Sequence, residues 1–182
     1  TWSPDGKLLA FVDYKETGDD IAVLDTVSGR VTPFLNSPAY ETYPEFSPDG
    51  RWLAYSSNES GREEVYVRPY PGPGIKHMVS GQGGIQPLWG KDGNQLFYRW
   101  RDQVWAVDVR TEAGISTGKP RLLFERPGYT PGNPTRSYDL SQDGKRFLMV
   151  KLEQRTPAPV TELTLVQGWF EELKRLVPTG KK

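Results

Sequence analysis

The sequence predicts an all-β fold, a β-propeller of about four blades of four-stranded antiparallel sheet in an incomplete ring. Three observations carry this prediction. A four-residue turn recurs as Ser3-Pro4-Asp5-Gly6, Ser47-Pro48-Asp49-Gly50, Gly90-Lys91-Asp92-Gly93 and Ser141-Gln142-Asp143-Gly144, its glycines 44, 43 and 51 residues apart. Each turn follows Trp2, Phe46, Trp89 or Leu140 and precedes an apolar run such as Trp52-Leu53-Ala54-Tyr55. Aligned on the turns, Leu9, Leu53, Leu96 and Phe147 form one column, and Ala10, Ala54, Phe97 and Leu148 the next. Successive side chains on a strand point to opposite faces, so adjacent apolar columns mean sheets covered on both sides, as in stacked blades.

The turn itself has a physical basis. Gly enters positive φ freely, Asp tolerates it, and Asp or Ser oxygens accept hydrogen bonds from nearby turn amides. Asp5, Gly6, Asp49, Gly50, Asp92, Gly93, Asp143 and Gly144 are therefore read as structural turn residues. The aspartates repeat once per blade, so the ring separates them instead of converging them on an ion.

Each blade follows from its turn. An innermost strand enters it over 43–46, 85–89 and 137–140, and a second strand leaves it. Third strands are expected at Ile21–Asp25, Val65–Arg68, Val104–Asp108 and Leu163–Val166, and fourth strands at Val31–Leu35, Lys76–Ser80 and Pro120–Glu125. Pro44 and Pro87 fall in innermost strands, where one edge faces a channel and needs no donor. The blades span 1–36, 42–80, 85–125 and 136–168. Residues 169–182 read as a helix and basic tail, because Trp169, Phe170, Leu173, Leu176 and Val177 share one helical face and Pro178 ends it. The first blade lacks most of its innermost strand and the last lacks a fourth. The chain is thus expected to be the C-terminal portion of a longer protein, packing on further blades upstream and associating with itself when isolated.

Composition excludes several chemistries. The chain has 182 residues, no cysteine and one histidine, His77. Disulfides and thiolate catalysis are excluded, and a Ser-His-Asp triad or histidine metal site finds no set of partners. Acidic and basic residues balance at 23 each, so no long-range field draws the chain to nucleic acid, despite aromatics interleaved with Arg68, Arg99 and Arg101. No apolar stretch is long enough to insert in a membrane. Gly81-Gln82-Gly83-Gly84 precedes no helix that would hold a phosphate and reads as a connection between blades. Glu16-Thr17-Gly18-Asp19-Asp20 lacks the ligand spacing of a calcium loop. Neither a cofactor nor a metal is expected, and no compartment is selected.

The stretches Trp2 to Phe11 and Phe46 to Tyr55 resemble the WD-like repeats of TolB-type bacterial β-propellers: an aromatic, Ser-Pro-Asp-Gly, a basic residue, then an aliphatic-Ala-aromatic strand. The third repeat departs in Gly90-Lys91, and the fourth keeps Ser141 and Asp143-Gly144. The segments Tyr66 to Gly72, Gln86 to Trp89 and Trp169 to Leu173 are similar to C-terminal propellers of large bacterial proteins, many bearing an N-terminal serine/threonine kinase domain. The resemblance implies a non-catalytic module that binds a protein or peptide, or senses a ligand, within a larger protein. It leaves open a TolB-like envelope protein and the accessory propeller of an oligopeptidase-like hydrolase.

In a propeller, the loops between blades and between second and third strands meet on one face. That topology brings Tyr40, Glu41, Tyr43, Gln86, Arg136 and Tyr138 to the channel mouth, as candidate binding residues on a rigid scaffold.

Overall fold

The computed structural model describes residues 1–16, 18–112, 114–129 and 135–151, all within one compact unit, Thr1–Leu152. Its regular elements are strands in four antiparallel sheets. The first holds β1 (Leu8–Lys15), β2 (Gly18–Asp25) and β3 (Val31–Pro33) in that order. The second holds β4 (Glu41–Phe46), β5 (Trp52–Ser57), β6 (Glu64–Pro69) and β7 (His77–Met78). The third is built from β8 (Ile85–Trp89), β9 (Gln95–Trp100) and β10 (Gln103–Arg110). Its outer edge pairs with β11 (Ser116–Thr117) and β12 (Arg121–Glu125). The fourth pairs β13 (Tyr138–Leu140) with β14 (Phe147–Met149). The strand and helix expected at 163–166 and 169–177 lie outside the described residues.

The repeats keep one register. Trp2, Phe46, Trp89 and Leu140 pair across their turns with Leu9, Leu53, Leu96 and Phe147. Every turn closes by an N–H of the glycine donating to the carbonyl three residues back, at 2.9–3.0 Å. In the first, second and fourth turns the serine hydroxyl donates to the turn aspartate at 2.5–2.6 Å. The same hydroxyl accepts the N–H of Leu8, Trp52 or Arg146. Successive turns also touch: a Cβ on Gly50 would lie 3.4 Å from the Pro4 ring, and one on Gly93 would lie 3.8 Å from the Pro48 ring. The proline of each Ser-Pro-Asp-Gly turn therefore seats the glycine of the next.

The core lies between the sheets. Leu53 and Tyr55 of β5 pack toward Ala10, Ile21 and Val23 of the first sheet. Their neighbours Trp52 and Ala54 pack the other way, with Leu96, Tyr98 and Val107 of the third. A third cluster joins Leu88, Phe97 and Ala106 to Tyr138 and Leu140. Truncating a side chain such as Leu53, which has no exposed surface, costs about 2–5 kcal/mol in cores of this kind. Leu148, by contrast, is 74% exposed on the far face of the fourth sheet.

Three details depart from the strand pattern read in the sequence. β10 runs as far as Arg110, and its free edge takes β11 as well as the expected fourth strand. β3 stops at Pro33, where the N–H groups of both Phe34 and Leu35 turn to the Ile21 carbonyl. Ser80 turns inward from the end of β7: its hydroxyl accepts the Val65 N–H and donates to the buried Glu64 carboxylate.

Candidate functional site

The innermost strands β4 and β8 share an irregularity that builds the site. Pairing with the second strand breaks between Thr42 and Glu45 in β4, and between Ile85 and Leu88 in β8. At the break, Tyr43 and Gln86 adopt φ of +53° and +56°, and each is followed by a proline, Pro44 or Pro87. Both are therefore β-bulges in which a non-glycine residue enters the left-handed region while the proline takes the unpaired slot. Tyr43 and Gln86 precede their turn glycines by the same interval as Ser137 precedes Gly144. The three thus stand at one level of successive innermost strands.

Behind that level lies a buried polar network. Gln86, wholly buried, donates its main-chain N–H to Ser56 Oγ at 3.1 Å and its side-chain N–H to the Thr135 carbonyl at 3.2 Å. Its carbonyl accepts the Tyr138 hydroxyl at 2.8 Å. Arg99, also without exposed surface, donates Nη1 to Ser137 Oγ at 2.9 Å and Nη2 to the Arg101 carbonyl at 3.3 Å. Ser56 and Arg99 occupy equivalent positions on β5 and β9, each reaching the innermost strand of the next blade. Burial pushes the Tyr138 phenol far above its ordinary pKa, so it stays a neutral donor.

In front of the network, Arg136 ties three innermost strands together. From just before β13, its Nη1 meets Glu45 Oε2 of β4 at 2.8 Å and donates to the Pro87 carbonyl of β8 at 3.2 Å. Beside it a cavity of about 340 Å³ is lined by Leu9, Phe11, Tyr43, Pro44, Glu45 and Arg136. Tyr43 also lines a second cavity, of about 270 Å³, with Tyr14, Asp19, Tyr40, Asn58 and Glu63. The Tyr40 main chain is held there by its N–H donating to Asn58 Oδ1 at 2.9 Å. Burial raises the Tyr43 phenol pKa, a hydrogen bond with Gln86 opposing it.

The six channel-mouth residues thus divide. Tyr40, Tyr43 and Arg136 line cavities; Glu41, Gln86 and Tyr138 are buried and serve as support. The Glu41 carboxyl accepts the Ser37 hydroxyl at 2.6 Å. Its pKa is raised, by burial first and by the nearby negative charge of Asp20 in addition. Asp20 itself is held low, chiefly by its hydrogen bond from Lys15. The sequence marks neither Tyr14 nor Glu45, and it marks Arg99 only as one of the arginines interleaved with aromatic residues. A strand arginine carries no local sign of burial, and only the alignment of Arg99 with Ser56 hints at a shared contact to the next blade. The turn residues Asp5, Asp49, Asp92 and Asp143 stay apart from this site, each bonded within its own turn. Among the described residues no three His, Asp or Glu side chains are grouped to hold a metal ion. No helix there is long and apolar enough to cross a membrane.

Comparisons with known proteins agree with this architecture. The chain is similar to an uncharacterised protein of Agrobacterium fabrum strain C58, 28% identical over 158 residues that cover 82% of this chain and 53% of that protein. It is 23% identical over 178 residues to the Tol-Pal system protein TolB of Francisella tularensis subsp. holarctica strain OSU18, covering 92% of this chain and 38% of that protein. The chain therefore spans about half or less of the length of these relatives. Its fold is similar to the crystal structure of TolB from Acinetobacter baumannii. That match has a TM-score of 0.64 and 19% identity, over 84% of this chain and 37% of that one. Residues 1–164 match the TolB beta propeller domain, and the chain belongs to that family.

Proposed function

We propose that this propeller is a non-catalytic module that binds a protein or peptide at the face formed by Tyr40, Tyr43 and Arg136. The observation that carries the reading is the division of the channel-mouth residues: side chains facing two cavities are backed by a buried hydrogen-bond network. Rigid backing of exposed aromatic and charged groups lowers the entropy lost on binding. Tyrosine and arginine are also the residue types that dominate protein interfaces. Relatives named as Tol-Pal system protein TolB support a protein partner. A longer parent fits the chain's share of those relatives; from the sequence resemblance alone, we read the propeller as its C-terminal part, joined to another domain such as a serine/threonine kinase.

Two substitutions test the reading without disturbing the network. Tyr14 and Tyr40 are 62% and 52% exposed, so Tyr14→Asp and Tyr40→Asp leave the fold intact. A partner that co-purifies with the native protein should be lost from both variants. Equal recovery from the variants, or hydrolysis of a peptide or ester abolished by one substitution in this chain, overturns it.

A further inference from the structure

A second site lies outward of the channel mouth on the same loop-bearing face, in a cleft of about 790 Å³ between the outer parts of the second and third sheets. The glycine-rich connection Gly81-Gln82-Gly83-Gly84 shapes it. Gly83 has φ +103° and donates its N–H to the Glu64 carboxylate at 3.0 Å; a Cβ there would sit 2.2 Å from the Trp100 ring. The indole of Trp100 therefore lies directly on main chain, in space that only glycine leaves open. Trp105 stacks parallel to Tyr98, with centroids 6.3 Å apart, and donates its Nε1–H to Gln103 Oε1 at 3.2 Å. Both indoles are half-buried and line the cleft, so the wall is aromatic and fixed.

The charge on that wall has one sign. Arg101 and Lys119 line the cleft, and no carboxylate does among the described residues. Arg101 sits in the tight turn between the paired residues Trp100 and Gln103, at φ +54°, with its guanidinium 5.9 Å from the Trp100 ring. A turn of this shape favours glycine or asparagine, so an arginine here is held in a strained backbone conformation. The cleft is also bordered by sheet edges. Met78 belongs to β7, the last strand of its sheet, and Thr117 to β11, an end strand of the next. Edge strands pair with extended chains.

We propose that this cleft binds an extended acidic segment of a partner protein. Its backbone lies along the β7 or β11 edge, an apolar side chain packs on Trp100 and Trp105, and carboxylates meet Arg101 and Lys119. Two cations in a chain of zero net charge suit a few carboxylates and not a phosphate backbone, which requires a longer basic track.

The test is fluorescence anisotropy on the whole chain with a labelled acidic peptide of about ten residues containing leucine and phenylalanine. A lysine-substituted counterpart, oligothymidylate and a malto-oligosaccharide serve as competitors. The acidic peptide is expected to bind saturably, to change indole emission and to weaken as salt rises. Arg101→Gly is the decisive variant: glycine is unstrained at this φ, so the fold holds or gains stability while affinity falls about tenfold. Lys119→Glu should weaken binding in the same direction. Unchanged affinity in Arg101→Gly, no binding of the acidic peptide, or preferential binding of the oligonucleotide or sugar overturns the proposal.

Discussion

Ser137 donates both its main-chain N–H and its hydroxyl to the side-chain oxygen of Gln86, at 3.2 and 3.1 Å, joining the innermost strands of two successive blades. Because Gln86 also donates its N–H to Ser56, one residue links three sheets. The link exists only because the bulge at Gln86 turns it into the left-handed region and frees its main chain from the β8–β9 ladder. Inter-blade packing thus rests on polar bonds at the axis as well as on the apolar faces further out.

Gln86→Ala should be among the most destabilising single changes. It strips Ser137 of its acceptor in a wholly buried site and leaves Arg99 in a weakened network. Unsatisfied buried groups cost about 1–3 kcal/mol each, so a total loss of roughly 2–4 kcal/mol is expected in denaturant unfolding. Loss of less than about 0.5 kcal/mol, the range of a surface change, contradicts the network's role.

Glu41→Gln should stabilise the protein at neutral pH. The Glu41 pKa is raised on folding, so the folded state holds that proton more tightly than the unfolded chain does. Stability from this group is present at low pH and declines as pH rises from the ordinary carboxylate value through the folded one. Glutamine keeps an acceptor for the Ser37 hydroxyl and removes the charge. Its advantage, on the order of 1 kcal/mol, should appear in Tm near pH 7.5 and vanish near pH 3.5. An advantage constant across that range contradicts the burial argument.

The stacked turns give different outcomes at two glycines of nearly identical φ, +71° at both Gly6 and Gly50. A Cβ on Gly6 meets nothing within 4 Å, whereas one on Gly50 meets Pro4. Asparagine tolerates this φ, and at Gly50 its Cβ alone makes ordinary contact with Pro4, so Gly6→Asn should cost about 0.5 kcal/mol or less and Gly50→Asn more, through the carboxamide that extends beyond that contact. Equal costs in thermal unfolding would mean that the turns do not seat one another.

Much of this architecture is legible in the sequence because its signals are local and repeated. Asp49-Gly50 and its counterparts fix hairpins through φ preference, and the columns holding Leu53 and Ala54 reveal two covered faces. The site is less legible. Nothing intrinsic to Tyr43 or Gln86 predicts a left-handed bulge, and the prolines that follow them signal only that pairing stops. Burial of Arg99 and Glu41 depends on what the next blade or loop presents, Ser137 in one case and Ser37 in the other, and such contacts leave no periodic trace. β11 escaped notice because Ser116-Thr117 is too short and polar to read as a strand and pairs only because β10 overruns.

The most direct test of the proposed binding face is site-specific photo-cross-linking in the native cell. A benzophenone side chain placed at Tyr40 is compared with one at Val27, which is 80% exposed in the turn between β2 and β3. Position 40 should yield a discrete covalent adduct with one protein, lost when Tyr14→Asp is introduced, while position 27 yields none. No adduct at position 40, or the same adduct from both positions, would contradict a binding face centred on Tyr40, Tyr43 and Arg136.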